Sequence, residues 1–489
     1  MIKRGITYKQ ILRGRRVLVV GLGKSGKAAA RALNEAGAEV TIQDSKTPDK
    51  LDTQFLQYMQ NEEIRSYLGS VPEDMTAYDM LVLSPGVPTS LSYIQEAREA
   101  GAEIIGELEL AYRLGEGNFV AITGTNGKTT TTTLVGEIFK ASGRNTAVVG
   151  NIGNPVVTQA MDSTDKDWLV TEVSSFQLET AVDFRPVVSA ILNLTPDHLN
   201  RHGTMEAYGA AKAQVAANQS EDEFLIINLD DKQAFELSKN TKAKVIPFSR
   251  KEKTDFGAYL DGTKIIVKDL NGTEHYICDR SDLRIIGDHN VENVLAAAAI
   301  SFFAGIGPDV ISAVIKEFPG VEHRIEFCGR VDDVDYYNDS KGTNVDAAVI
   351  AIKALRDGII LIAGGDGKGQ DFEDLVNHFE GSVEALILLG RDAPIIEEAA
   401  RKAGFTNIYN CKDMPECVRK AAELARAGEK VLLSPACASW DMYANFEQRG
   451  RHFKQCINEM LKSKRKKQEL RKLLHAGLSG AKDVTNRMP

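Results

Sequence analysis

The chain has 489 residues, 43% apolar and 26% charged, a globular balance with room for about three domains at the usual ~100–200 residues each. Its formal net charge of −9 argues against general nucleic-acid binding, so any anionic ligand needs locally placed positive groups. The six cysteines form no C-x-x-C pair and no zinc spacing, and the longest apolar run, Val294 to Ile306, is too short to span a bilayer, so reduced thiols and a cytoplasmic protein without membrane insertion are expected.

Residues 1–106 alternate short apolar strands with helical segments: Arg16–Val20, a helix over 25–36, Glu39–Ile42 and Met80–Leu83. The Val17–Val20 run breaks at Gly21, too early for a signal-peptide core. This order predicts a Rossmann-like parallel sheet. Gly21-Leu22-Gly23-Lys24-Ser25-Gly26 follows the first strand and Asp44 ends the second, a dinucleotide fingerprint that is weak alone, because the same turn seats any diphosphate. Ser84-Pro85-Gly86-Val87-Pro88, after the third strand, reads either as a second ligand loop at the same edge or as a plain turn.

Residues 107–320 form a second α/β unit around Asn118 to Thr130. The apolar strand Phe119–Ile122 runs into Gly124-Thr125-Asn126-Gly127-Lys128-Thr129-Thr130, where the glycines let backbone N–H groups converge and a following helix adds its positive end. Lys128 then reaches the β/γ-phosphates and Thr129 a Mg²⁺ ion. Ile122 stands where the Walker pattern has its first glycine, so this is a shortened P-loop. Glu172, at the end of the strand Trp168–Val173, is placed as a Walker-B acid or as a solvated strand end. The strand Val188–Leu194 leads to Asp197-His198-Leu199-Asn200-Arg201, an acid, a histidine and an arginine on one strand-end loop. Asn290 and Asn293, one turn apart at the start of an alanine-rich helix, suit a base edge or a helix cap.

Residues 321–463 repeat the pattern, with Asn338-Asp339-Ser340-Lys341-Gly342-Thr343, the strand Ile359–Ala363 into Gly364-Gly365-Asp366-Gly367-Lys368-Gly369, and strands Ala385–Leu389 and Lys430–Ser434, the last leading to Ser439-Trp440-Asp441. Glycine- and hydroxyl-rich loops thus recur at strand C-terminal ends, where open α/β sheets bind ligands. Residues 464–489 are a basic tail expected to be disordered.

Gly-Thr-Asn-Gly-Lys-Thr at 124–129 resembles the ATP loop of the Mur ligase family, the ATP-dependent amide-forming enzymes of peptidoglycan precursor synthesis. Ser84-Pro85-Gly86, Glu172 to Leu178, Asn338 to Lys341, Gly364 to Gly369 and Leu433 to Gly450 are similar to the branch that adds D-glutamate. The resemblance implies three domains: a Rossmann-like N-terminal domain for a UDP-linked substrate, a central P-loop ATPase domain and a C-terminal Rossmann-like domain for the amino acid. It implies that ATP phosphorylates the carboxylate of UDP-N-acetylmuramoyl-L-alanine and that the amine of D-glutamate attacks the acyl phosphate, giving the amide, ADP and phosphate. A monomer is expected.

Carried over residue by residue, the resemblance gives Gly124 to Thr130 with Asn290, Asn293, Arg324 and Asp339 to ATP. It gives Gly23, Lys24, Ser25, Asp44, Ser84, Pro85, Gly86 and Asn151 to the UDP-linked substrate, with Asp44 facing the uracil, and Thr343, Lys368, Ser439 and Phe446 to D-glutamate. Thr129 and Glu172 match one Mg²⁺ site; His198 and Lys212 match a second, with Lys212 carbamylated. Lys128, Glu172, His198 and Lys212 are the catalytic candidates. One departure is Asn200, where the resembled loop commonly carries aspartate; it reads as tuning of local charge and not as loss of activity. A folylpolyglutamate-type or other Mur ligase shares the P-loop but should lack the Lys368 and Ser439 loops. A nicotinamide-dependent oxidoreductase leaves the P-loop unexplained, and a regulator without chemistry needs no second substrate site.

Overall fold

A computed structural model describes residues 4–464, so all of the expected tail but Lys464 lies outside the described residues. The chain divides into two compact units, one running to Ile285 and taking in His289–Pro319, the other holding Ile286–Asp288 and continuing from Gly320.

The first unit carries two sheets. β1 (Arg16–Val20), β2 (Glu39–Asp44), β3 (Arg65–Leu68), β4 (Met80–Leu83) and β5 (Glu103–Gly106) are all parallel in the order β3-β2-β1-β4-β5. Val17 to Val20 and Met80 to Leu83 are buried without alternation, as strands covered on both faces must be. The order reverses between β1 and β4, so a crevice opens at their C-terminal ends. The helix Lys24–Glu35 begins one residue before the expected start and is capped by Gly23.

The second sheet comprises β6 (Asn118–Thr123), β7 (Thr146–Gly150), β8 (Trp168–Glu172), β9 (Val188–Ile191), β10 (Phe224–Asn228), β11 (Lys244–Ser249), β12 (Gly257–Asp261), β13 (Lys264–Lys268) and β14 (Glu274–Asp279). Its order is β14-β13-β12-β11-β10-β9-β6-β8-β7, with β6 between β9 and β8 and only the β12–β13 and β13–β14 pairs antiparallel. The expected strand 188–194 stops at Ile191 because Asn193 turns its side chain onto the loop after β6. The helix Asp288–Phe303 is buried nearly all round, which is why its alanines show no polar stripe.

The helix Glu107–Leu114 joins the two sheets and is buried throughout. Arg113 ion-pairs with Glu109 (2.7 Å), Glu103 (2.6 Å) and Asp183 (2.9 Å), and Glu109 also accepts the N–H groups of Val182, Asp183 and Phe184. Arg113→Ala leaves the fully buried Glu109 carboxylate without its counter-charge, so urea unfolding of the first unit is expected to lose about 3–5 kcal/mol. A loss below about 1 kcal/mol would show that the three backbone N–H groups suffice.

The second unit holds β15 (Glu326–Val331), β16 (Val334–Asn338), β17 (Ile359–Ala363), β18 (Val383–Leu388), β19 (Ile408–Asn410) and β20 (Lys430–Leu433) in the order β15-β16-β20-β17-β18-β19, parallel except for the β15–β16 hairpin. Residues 446–464 are helical. No helix among the described residues is long and apolar enough to cross a membrane.

Candidate active site

The loop after β6 is a backbone cradle held from outside. Gly124 (φ +148°) and Gly127 (φ +82°) adopt angles that side-chain-bearing residues rarely take, and a Cβ on Gly127 would lie 2.2 Å from Asn293 Oδ1. Gly127 caps the helix Lys128–Ala141, so the helix starts with its free N–H groups toward the loop. Asn193 brackets the cradle: its amide donates to Asn126 O (3.1 Å), its Oδ1 accepts Asn126 N–H (2.8 Å), and its carbonyl accepts Thr125 N–H (3.1 Å). Thr125 Oγ1 accepts Thr195 N–H at 3.1 Å and lies 3.3 Å from the Tyr208 hydroxyl. Sequence reasoning missed Asn193 and Tyr208; the signal for Asn193 was a lone polar residue between Leu192 and Leu194 at a strand end.

Three cationic or metal-seeking groups converge on this cradle. Lys128 Nζ donates to Gly124 O (2.9 Å) and Thr125 O (2.7 Å), so its charge lies over the loop. Lys212, on the helix Met205–Ala213, reaches the same Gly124 carbonyl at 2.8 Å and is only 1% exposed. Burial, reinforced by the nearby Lys128 charge and opposed by Asp197, holds its amine well below the usual lysine range. Glu172, at the end of β8, is 2% exposed; Oε1 accepts from Asn151 Nδ2 at 2.8 Å, while Oε2 is buried with no hydrogen-bond partner. A carboxylate oxygen withdrawn from water and left without a donor is the arrangement a divalent cation satisfies, and hard oxygen ligands are what Mg²⁺ takes. Thr129 and Thr130 are buried at the start of the helix Lys128–Ala141.

Asn293 packs against the cradle and holds Asn290: its Nδ2 donates to Asn290 Oδ1 (3.1 Å) and its Oδ1 accepts from Thr131 (3.3 Å). His198 has φ +53° and lies exposed, 3.5 Å from Asp197, its ring 4.9 Å from Phe176. The rings of His202 and Tyr208, 5.1 Å apart, continue from Phe176 to Lys212, whose Nζ is 4.5 Å from the Tyr208 ring. Asn200 is exposed beside His198.

In the β1–β4 crevice the two expected loops meet. Ser84 Oγ donates to Gly21 O at 2.8 Å, and Ser84 to Val87 close a turn through Val87 N–H on Ser84 O. A Cβ on Gly26 would fall 1.8 Å from Gly21 O, so this helix can pack here only with glycine. Asp44 is buried and accepts Leu22 N–H (2.6 Å) and Lys46 N–H (2.8 Å), so its carboxylate first of all shapes the loop. Gly23 and Lys24 are exposed at the helix start.

The second unit gathers its candidates at the C-terminal edge of the third sheet. Asp339, after β16, accepts from Ser434 Oγ at 2.7 Å, and burial pushes its carboxyl up to about 6 against the pull of Ser434 and Arg324. Arg324 has a buried Nε without a partner, and a Cβ on Gly342 would lie 2.5 Å from Asp339 Oδ2. Ser340 Oγ donates to Phe446 O at 2.9 Å, drawing Phe446 toward the loop that carries Thr343. Lys368 (φ +55°) and Ser439 sit on neighbouring loops zipped by a pair of backbone hydrogen bonds between Asp366 and Ala438 (2.9 and 2.8 Å). The Lys368 ammonium is 5.9 Å from the Trp440 ring. Buried Arg449, absent from the expectations, fastens the set: it donates to Ser340 Oγ (3.0 Å), Ser340 O (2.8 Å) and Cys437 O (3.1 Å).

The arrangement can bind a polyphosphate on backbone N–H groups, offset its charge with Lys128, and offer carboxylate oxygen to a metal. Three family profiles match: Mur ligase MurD-like, N-terminal domain, over 15–106; Mur ligase middle domain over 122–301; and Mur ligase, glutamate ligase domain, over 323–437. The chain is 47% identical over 450 residues to the UDP-N-acetylmuramoylalanine--D-glutamate ligase of Clostridioides difficile (strain 630), covering 92% of this chain and 99% of that one. It is 45% identical over 455 residues to the enzyme of the same name from Alkaliphilus metalliredigens (strain QYMF), covering 92% and 100%. Among solved structures, the UDP-N-acetylmuramate-alanine ligase of Thermotoga maritima shares the fold with a TM-score of 0.56 at 18% identity, covering 91% of this chain and 99% of that one.

Proposed function

The chain belongs to the Mur ligase family, and from that premise we propose that it joins D-glutamate to UDP-N-acetylmuramoyl-L-alanine at the expense of ATP, releasing ADP and phosphate, in cytoplasmic peptidoglycan precursor synthesis. The observation that carries the substrate assignment is the likeness to D-glutamate ligases along nearly the whole chain. The working division is 1–106 for the UDP-linked substrate, 107–320 for ATP, 321–463 for D-glutamate and a 464–489 tail, in a monomer.

In the first step a carboxylate oxygen of the L-alanyl group bonds to the γ-phosphorus of ATP as the bond to ADP breaks. In the second the D-glutamate amine bonds to the acyl carbon, the tetrahedral intermediate expels phosphate, and the amine loses a proton. Both steps crowd anions together, so fixed donors and cations must offset the repulsion. The N–H groups of Gly124 to Thr130 and the Lys128 ammonium face the phosphates; Asn290 and Asn293 are the first unit's candidates for the nucleotide, and Arg324 and Asp339 are the second unit's. Gly23, Lys24 and Ser25 with Ser84, Pro85 and Gly86 seat the diphosphate, Asp44 faces the uracil, and Asn151, hydrogen-bonded to Glu172, orients the muramoyl end. Mg²⁺ at two sites, held by Thr129 and Glu172 and by His198 and a carbamylated Lys212, supplies charge neutralisation when bound. Thr343, Lys368, Ser439 and Phe446 take the D-glutamate carboxylates.

Substrate labelled with ¹⁸O in the L-alanyl carboxylate tests this chemistry. One ¹⁸O per phosphate released is the expected outcome, and unlabelled phosphate contradicts an acyl phosphate.

Lys368→Ala is expected to raise KM for D-glutamate about 10–100-fold, the worth of one charged hydrogen bond, with KM for ATP nearly constant. Equal rises for both substrates would assign the Lys368 loop to closure and not to recognition.

A further inference from the structure

One side chain ties the crevice of the first sheet to the loop that carries His198. Arg201 lies on the short helix Leu199–His202 with its side chain 19% exposed. Its Nη2 donates to Glu179 Oε2 at 2.7 Å and to the carbonyl of Val87 at 3.2 Å, and its guanidinium lies 5.2 Å from the centre of the Phe176 ring. Val87 closes the Ser84 turn, whose serine is bonded to Gly21. Glu179 lies 3.5 Å from His202 Nδ1, and the other ring nitrogen of His202 is 3.0 Å from Ser175 Oγ. Phe176 is flanked by His198 and His202 at 4.9 and 5.4 Å.

A guanidinium largely withdrawn from water has to keep its donors paired, and its planar fork lets it serve an anion and a carbonyl at once while stacking on a ring. Here the anion and the ring belong to the segment after Glu172, and the carbonyl belongs to the loop between β4 and the next helix. Movement of either loop by an ångström breaks one of the two bonds.

We infer that Arg201 is a positioning residue that locks the Ser84–Val87 turn to the His198 loop and thereby sets where the reacting end of the UDP-linked substrate meets the phosphate cradle. The inference rests on the function proposed above. Its energetic logic is that the substrate is held by one sheet and reacts at the other, and a misplacement of about 1 Å costs on the order of 100-fold in rate.

Hydrogen exchange and kinetics on the full chain test this. In Arg201→Ala, residues 84–91 are expected to exchange about tenfold or more faster than in the wild type, while residues 124–131 keep their protection. KM for UDP-N-acetylmuramoyl-L-alanine is expected to rise and kcat to fall, each about tenfold, with the affinity for Mg·ADP changed by less than about twofold. Arg201→Lys, able to keep one of the two bonds, should fall between. Unchanged exchange at 84–91, or nucleotide affinity falling in parallel with that for the UDP-linked substrate, would overturn the inference. Should Arg201→Ala not fold, Glu179→Gln decides: it keeps a hydrogen bond but loses the ion pair, and a smaller split in the same direction is expected, whereas no split contradicts the role. A wild-type enzyme that fails to turn over the UDP-linked substrate would sink the proposed function, and the exchange rates would still decide on Arg201.

Discussion

Lys128→Ala is expected to abolish practical turnover while the protein stays folded. Lys128 is only partly buried, and its Nζ donates to two loop carbonyls, those of Gly124 and Thr125. Its loss should cost less than about 1.5 kcal/mol in urea unfolding. On the proposed mechanism the same charge faces the β/γ-phosphates, where removing one preorganised electrostatic contact costs about 2–4 kcal/mol of transition-state stabilisation. That corresponds to a kcat reduced about 30–1000-fold. A folded Lys128→Ala enzyme with wild-type kcat would remove the P-loop from the mechanism.

Lys212 carries the second large effect, for a different chemical reason. An ammonium repels Mg²⁺ and has no lone pair to offer, so lysine as such is a poor metal partner. CO₂ converts a neutral amine to an anionic carbamate with two oxygen ligands. The burial that holds the Lys212 amine well below the usual range, with Lys128 adding to it, raises the neutral fraction that can react. The sign of the pH dependence follows: carbamate formation consumes neutral amine and releases a proton, so its occupancy rises with pH and with bicarbonate and falls in acid. Lys212→Ala is expected to be nearly inactive and to regain part of its activity with short-chain carboxylates, which replace the missing oxygens. In the wild type, ¹³CO₂ should give a carbamate signal in NMR that is absent from Lys212→Ala. A fully active Lys212→Arg enzyme would refute the modification, since a guanidinium keeps its charge and does not form the carbamate.

The parts of this architecture legible in the sequence are those fixed by local chemistry. β1, β4 and β17 run as unbroken apolar stretches because both faces are covered, and their bounds match the expected strands. The glycines at 124 and 127 announce a turn that few other residues can make. The hairpins β12–β13 and β13–β14 went unread although Asp261-Gly262 and Asn271-Gly272 are sound turn signals, with Gly262 and Gly272 at φ +62° and +87°. Their strands are short and flank an otherwise parallel α/β pattern, which hides them.

Around the candidate site the sequence named candidate ligand residues more readily than their supports. Asn193 and Arg449 act through partners 67 and 109 residues away, and no local pattern marks such a contact. Asp44 shows the converse: its place at the end of β2 suggests a ligand, while both its oxygens already hold backbone N–H groups of Leu22 and Lys46. Such a carboxylate fixes the shape of the loop before any ligand arrives.

The proposed function makes D-glutamate the amino acid that this chain joins to UDP-N-acetylmuramoyl-L-alanine. Its most direct test is phosphate release from ATP with that UDP-linked substrate and, in parallel, D-glutamate, L-glutamate, L-alanine, L-lysine and diaminopimelate, each product being weighed by mass spectrometry. Turnover with D-glutamate alone, giving a product heavier by one glutamyl residue, is the predicted result; turnover with L-lysine or diaminopimelate, or none with D-glutamate, would contradict it.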